Sequence, residues 1–330
     1  NKHANLSELT FILPSKRAGL FLKHQLSEVT NQTIFSPQIL SIEEFVEEMS
    51  LLKSVSNSEL LFHFYNTYIH LTKDNEPDSF ESFSKWAQIL LQDFNEIDRY
   101  LIPQNQIFEY LSAIQEINHW SLDPNTTPLI KGYLSFWKKI QTYYKKFTEH
   151  LLQKGVGYQG LIYREAVENL ELYIQNHQDK SHIFLGFNAL NASESTIIQE
   201  MLQQDKAKIY WDIDQIFIDT PHHDAGHFVR QYKKSWTHFK SEPFKLVSCQ
   251  YSNPKNISVV GTPKNIGQVK YVGSLLKKLH SKDKLQNTAL ILGNEDLLIP
   301  VLNSIPSNIK EINITMGLPL KQTPFSAFIN

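Results

Sequence analysis

The sequence predicts an α/β protein in which a parallel sheet is interrupted by a block of helices. Short apolar runs without polar alternation, at residues 9–13 (LTFIL), 182–187 (HIFLGF) and 208–211 (KIYW), suit strands buried on both faces of a parallel sheet. The first two of these are followed by helical patterns, the βα alternation that such sheets require. Between residues 56 and 178 the alternation stops and helical spacing alone continues.

Pro14 ends the first run, because it has no N–H for a ladder and fixes its own φ. Ser15 is placed to cap a helix over 16–26, in which Leu20, Phe21 and Leu26 mix with Lys23 and His24. Residues 33–40 (TIFSPQIL) read as a second strand, near an edge because of Pro37. Ser41-Ile42-Glu43-Glu44 is a capping box that opens a helix with Phe45, Val46 and Met49 on one face. Helical patterns then cover 58–71, 79–100, 104–118, 131–153 and 160–175, separated by Pro77, Pro103, Pro124, Pro128 and the glycines 155, 157 and 160. A block of this size can bury its own core. Strands return at 182–187 and 208–211 around a helix over 194–203. A further βαβ pattern joins 257–260 (ISVV), a helix over 267–278 and 288–292 (TALIL). A helix over 295–303 and a short strand at 312–315 follow. The expected domains are 1–55 with 179–254, a helical insertion at 56–178, and the beginning of a second α/β domain at 255–330.

At 330 residues the chain has room for such an arrangement. Its 41% hydrophobic and 20% charged residues exclude a disordered bulk. The formal charge, 32 − 34 = −2, means that any nucleic-acid contact has to come from a local patch. The single cysteine, Cys249, precludes an internal disulfide and fits a reducing, cytoplasmic compartment. Its setting, LVSCQY, reads as strand, so the thiol is expected to be buried and inert. No run approaches the roughly 18 apolar residues of a membrane span, and no signal-peptide pattern opens the chain. The start without Met and a finish inside what reads as an element suggest a piece of a longer protein.

Phosphate-binding motifs fail in their details. None of the 12 glycines is followed by lysine, so these residues hold no Walker A loop. Gly155-Val156-Gly157-Tyr158-Gln159-Gly160 formally fits GxGxxG, but it follows a helical pattern and reads as a helix–helix linker. No carboxylate stands two residues before a lysine, as a PD-(D/E)xK nuclease requires. Asp212 and Asp214 resemble a Walker B ending, or a turn at a strand end. His223 and His227, at i and i+4, have the spacing of paired metal ligands on a helix, without the Glu of HExxH or an evident third ligand.

Two places suit nucleic acid. Ser15, Lys16 and Arg17 sit where a strand feeds a helix, and cations beside fresh helix N–H groups suit a phosphate. They read equally as a solvated first turn. Lys131, Lys138 and Lys145, seven apart, with Lys139 and Lys146 alongside, form a basic stripe on a helix that also carries Phe136, Trp137, Tyr143 and Tyr144. That combination suits a single strand, with cations on phosphates and aromatics on bases, or else a solvated face over an aromatic core.

Read in order, several stretches resemble the B subunit of AddAB-type bacterial helicase–nucleases, described as an inactivated superfamily I helicase joined to a PD-(D/E)XK nuclease. These are FILPSKRAGLFL, LSIEEFVEEM, GYQGLIYREAV, HIFLGFNALNASE, KIYWDID, AGHFVR, VVGTPKNIGQVKYVGSLL, NTALILGNEDLLIPVLNSIP and ITMGLPLKQTPF. The resemblance implies a RecA-like (P-loop NTPase-like) domain interrupted by a helical insertion and followed by a second motor-like domain. It implies a non-catalytic part that binds and guides DNA in end processing and recombinational repair. The implied partners are DNA and an AddA-like helicase subunit. The implied nuclease, with its Mg²⁺, lies beyond residue 330; this stretch itself is expected to need no cofactor. One departure bears on chemistry. Where an active motor has Asp-Glu, this chain has Leu185-Gly186-Phe187-Asn188, with no carboxylate to hold Mg²⁺. The site residues expected are Ser15, Lys16 and Arg17, then Lys138 and Lys145. Three alternatives stand beside this reading: an ATPase whose P-loop precedes Asn1, a scaffold for a partner protein, and a metal hydrolase at His223 and His227.

Overall fold

Leu9–Leu13 form strand β1, and after the Pro14 break Ser15 Oγ accepts the Ala18 N–H at 3.3 Å to start helix α1, Lys16–Val29. The computed structural model describes residues 6–29, 35–72, 77–118, 128–244, 246–286 and 288–329. Strand β2 is Gln38–Ser41, shorter than expected, with 33 and 34 outside the described residues. Helix α2, Ile42–Ser50, opens on the expected capping box: the Glu44 N–H donates to Ser41 Oγ and Glu44 Oε2 accepts the Ser41 N–H at 2.9 Å. A two-residue strand β3, Lys53–Ser54, precedes the helices α3 (Asn57–Leu71), α4 (Phe80–Arg99), α5 (Gln104–Asn118) and α6 (Pro128–Gln153).

The glycine-rich segment after α6 does more than link helices. Gly155 takes φ +66°, the left-handed turn that ends the helix, and Val156–Gly157 form β4, paired in parallel with β3. Gly160 lies so close to α4 that a Cβ there would stand 2.1 Å from the Asn95 carbonyl oxygen. The single helix expected over 160–175 is two, α7 (Gln159–Glu168) and α8 (Leu170–Asn176), broken at Asn169, where ψ is 0°. Strand β5 (Ser181–Leu185), helix α9 (Ala192–Gln203), strand β6 (Ala207–Asp214), helices α10 (Gln215–Asp219), α11 (His227–Ser235) and α12 (His238–Ser241), and strand β7 (Leu246–Ser248) complete this part. Cys249 follows β7 directly and is exposed, not buried as its neighbours suggested, because the strand stops one residue before it.

The sheet has five strands in the order β2-β1-β5-β6-β7, and every pair is parallel. β2 leaves β1 on one side and β5 returns on the other, so the order reverses between β1 and β5. In open parallel sheets this reversal is the switch point, where the carboxyl ends of adjacent strands open a crevice. Helices α3 to α8 all lie in the connection from β2 to β5. One apolar cluster runs from Ile12 through Phe45, Phe64, Phe94, Phe147, Leu161 and Phe184 to Trp211, so helices and sheet share a core. No described helix is long and apolar enough to cross a membrane.

The chain divides into two compact units, Asn1–Asn253 and Pro254–Asn330. The second unit departs from expectation. Its helices are α13 (Lys264–His280), α14 (Leu298–Leu302) and α15 (Pro324–Ile329). Among the described residues the expected strands at 257–260, 288–292 and 312–315 are coil, with Val259 92% and Ile291 88% exposed. Apolar runs become strands only when another backbone completes the ladder, and among the described residues no ladder is assigned to these three.

In the first unit the helices meet on a buried carboxylate. Asp98 near the end of α4 has no exposed surface; its Oδ1 accepts from Arg164 Nε at 2.6 Å, Tyr144 O–H at 2.5 Å and Gln104 Nε2 at 3.2 Å, and its Oδ2 accepts from Tyr158 O–H. Arg164 also donates to the carbonyls of Ile97 and Ile102. Burial first, and the Asp98 charge second, hold the Tyr144 and Tyr158 hydroxyls well above their ordinary pKa, so both remain donors. Asp98→Ala should cost about 3–5 kcal/mol by leaving Arg164 buried without its counter-charge, and Tyr158→Phe only about 2 kcal/mol. Urea denaturation midpoints compare the two.

A second buried polar group sits in the sheet. His182 on β5 has its Nδ1 3.2 Å from the Lys206 carbonyl, which only accepts, so Nδ1 carries the proton and Nε2 accepts from Tyr173 O–H at 3.1 Å. Burial lowers its pKa from 6.5 to about 4, against the raising effect of the Lys206 carbonyl; His177, Lys180 and Lys206 lower it further. The neutral ring is thus the stabilised form. Its contribution, on the order of 3 kcal/mol, is complete above about pH 6.5 and lost as pH falls towards 4. His63 and His150, 3.2 Å apart and shifted down mainly by burial, act in the same direction. His182→Asn should be less stable than the natural chain at pH 7.5 and lose less stability on going to pH 4.5, as thermal melts at both values will report.

Candidate functional site

Because all five strands run the same way, their carboxyl ends gather along one edge. At the end of β1 stand Ser15, Lys16 and Arg17, all exposed. Ser15 is engaged as the cap of α1. Lys16 Nζ lies 3.0 Å from Glu44 Oε1 in the first turn of α2, which opens directly from the carboxyl end of β2. The Lys16 pKa is raised, first by the hydrogen bond to Glu44 and then by its charge, with Glu47 and Glu43 adding to it. The Glu44 pKa is lowered, chiefly by the Ser41 N–H and then by Lys16. The expected phosphate site is therefore bordered by carboxylates that the strand-to-helix pattern did not reveal. The Lys16–Glu44 pair is solvated, so a phosphate oxygen can compete for the ammonium.

Across the switch point, β5 is followed by Gly186-Phe187-Asn188. Gly186 has φ +72° and open space where a Cβ would lie; Phe187 turns inward against Phe184, with ring centroids 6.0 Å apart, while Asn188 is exposed. The neighbouring β6 ends in Asp212-Ile213-Asp214. Asp214 serves the turn: its Oδ1 accepts the Ile216 N–H at 3.1 Å to cap α10, and its Oδ2 accepts the Tyr251 N–H at 2.7 Å. Asp212 is exposed. Between these strand ends and the 250–251 segment lies a cleft of about 490 Å³, walled by Phe187, Phe217 and Tyr251 and edged by Asn188, Asp212 and Gln250. Phe217 and Tyr251 pack with ring centroids 4.5 Å apart.

One arginine holds the outer wall. Arg230 on α11 donates to the carbonyls of Phe217, Thr220 (3.1 Å), Pro221 (2.9 Å) and His223 (2.9 Å), closing the loop between α10 and α11. Gly226 allows the close approach, since a Cβ there would stand 2.1 Å from the Phe217 carbonyl oxygen. The AGHFVR stretch is thus a loop clamp.

His223 and His227 do not share a helical face. α11 begins at His227, and a 3₁₀ turn at Asp224–Gly226 separates the two. His223 instead packs edge-on against Phe217 at 4.4 Å, and His227 lies 3.2 Å from the Gln231 side chain. Among the described residues no group of three or more His, Cys, Asp or Glu could hold a metal ion.

The basic stripe of α6 separates into its two components. Lys139, Lys145 and Lys146 are exposed, Lys146 paired with Glu149 at 2.7 Å, whereas the side chains of Lys131, Trp137 and Lys138 lie outside the described residues. Tyr143 and Tyr144 are buried and build the core, and half-buried Phe136 packs on Trp86 at its margin. Of the cleft residues, Phe217 lies on α10, while Gln250 and Tyr251, read as strand within LVSCQY, fall beyond the end of β7.

No family model matches this chain, and no curated protein matches it either.

Arg230→Met keeps the aliphatic stem and removes every hydrogen bond to the loop. It should cost about 2–3 kcal/mol and speed amide hydrogen exchange in residues 217–224, measured by urea denaturation and mass-resolved exchange.

Proposed function

We propose that this chain is the non-catalytic, helicase-like portion of a bacterial DNA end-processing exonuclease. It binds and guides a strand, without ATP turnover, towards a Mg²⁺-dependent nuclease domain of the parent protein. The observation that supports this reading is the pair of strand ends at the switch point. β1 ends on Ser15-Lys16-Arg17, which offer a helix N-terminus and two cations to phosphates. β5 is followed by Gly186-Phe187-Asn188, which offer no carboxylate for the Mg²⁺ of a phosphoryl-transfer motor. Lys145, exposed on α6, is a second place for a backbone contact.

A second reading, a scaffold for a partner helicase subunit, is favoured by the outer face of α1. Leu20 and Phe21 there are 68% and 66% exposed, beside the same strand end. A labelled single strand and a duplex end, titrated over a salt series, separate the readings. On the single strand the double variant Lys16→Gln/Arg17→Gln should bind more weakly and lower the slope of log K against log salt by about 1.4. An unchanged slope removes these residues from the contact; no binding at low salt favours the scaffold.

A further inference from the structure

The cleft at the ends of β5 and β6 has a chemistry of its own. Among the described residues no lysine, arginine or histidine lines it, and the charged residues that do are Asp212 and Asp214. Asp214 already accepts two backbone N–H groups, which leaves Asp212, exposed at the rim, as the carboxylate that can meet a ligand. A phosphate would be repelled there, and a ligand presenting hydrogen-bond donors would be held. The wall is aromatic: Tyr251 keeps 46% of its surface exposed while packing on Phe217. Exposed amides at Asn188 and Gln250, both in the lining, supply donors and acceptors. The volume of about 490 Å³ is that of a small-molecule pocket. A metal ion would need several converging donors, which the described residues do not assemble.

We propose that this cleft holds an unpaired nucleobase bearing an exocyclic amino group, its ring against Tyr251 and its edge read by Asp212, Asn188 and Gln250. Aromatic stacking with amide and carboxylate contacts to the base edge is how unstacked bases are recognised, and amino groups donate to carboxylates. The source of the base, a single strand passing the sheet edge, rests on the function proposed above; the ring-and-edge chemistry does not.

The test titrates deoxycytidine and thymidine, each with and without a 5′-phosphate, followed by amide chemical shifts. Oligo-dC and oligo-dT are titrated alongside. Deoxycytidine should bind saturably and independently of salt, thymidine about ten-fold more weakly, and the 5′-phosphate should add nothing. Tyr251→Ala should weaken deoxycytidine binding about ten-fold and Tyr251→Phe should restore it, while Asp212→Asn should erase the preference over thymidine. The absence of saturable deoxycytidine binding, equal affinity for thymidine, or a gain from the phosphate overturns the proposal. Oligonucleotides that bind with a salt slope while nucleosides do not would overturn the cleft and leave the strand-guiding function standing. Nucleosides binding in the expected pattern while oligonucleotides do not would uphold the cleft and remove that function.

Discussion

The buried carboxylate of Asp98 is the constraint on which the first unit depends. A charge with no exposed surface is tolerated only when donors surround it, and here they come from three further helices: Gln104 on α5, Tyr144 on α6, Arg164 on α7, with Tyr158 just before α7. Apolar packing alone would leave helices free to slide by a turn, because dispersion has little direction. The donors at Asp98 have direction, so they set the register of α4 to α7. α7 then packs against α2 and α9, the helices that open near the carboxyl ends of β2 and β5. The positions of the strand-end loops therefore trace back to this carboxylate, through the Gly160 contact that brings α7 onto α4.

A parallel sheet collects the ends of strands that are remote in sequence, and here it collects two electrostatic environments. The β1 end carries cations, but α2 brings Glu43, Glu44 and Glu47 beside them, and Glu44 is tied both to its own cap and to Lys16. The β5 and β6 ends carry aromatic rings, amides and two carboxylates, with no cation among the described residues that line the cleft. A strand of nucleic acid has the same division, charged on its backbone and uncharged on its bases. That correspondence links the proposed function to the proposed base site. The link is chemical, since each end suits one component and opposes the other.

Much of the fold was legible because its rules are local. The β1 run, the Ser15 and Ser41 caps and the Phe83–Ile97 stripe of α4 involve residues at most four apart at each step, the range over which helix and strand periodicity operates. Where the reading failed, a partner from elsewhere was needed. The runs at 257–260, 288–292 and 312–315 have strand composition and no ladder. The spacing of lysines on α6 left two readings open, bases stacked on the aromatics or a solvated face over an aromatic core, and buried Tyr143 and Tyr144 with exposed Lys145 fit the second. His223 and His227 have helical spacing across a 3₁₀ turn, and spacing alone does not locate where a helix begins.

The sequence by itself determined that this chain is α/β, where most of its main helices lie, and that Gly186-Phe187-Asn188, which follow β5, include no carboxylate. Those properties follow from side-chain period, capping and residue identity. Only the tertiary structure decided the strand order, the Asp98 cluster, the carboxylates around Lys16, and the cleft. Each of these joins residues distant in the chain: Arg164 reaches Asp98 across 66 positions, and Tyr251 reaches Asp214 across 37. Pairings at such separations are chosen by which buried groups satisfy one another after collapse, a choice that local pattern does not encode.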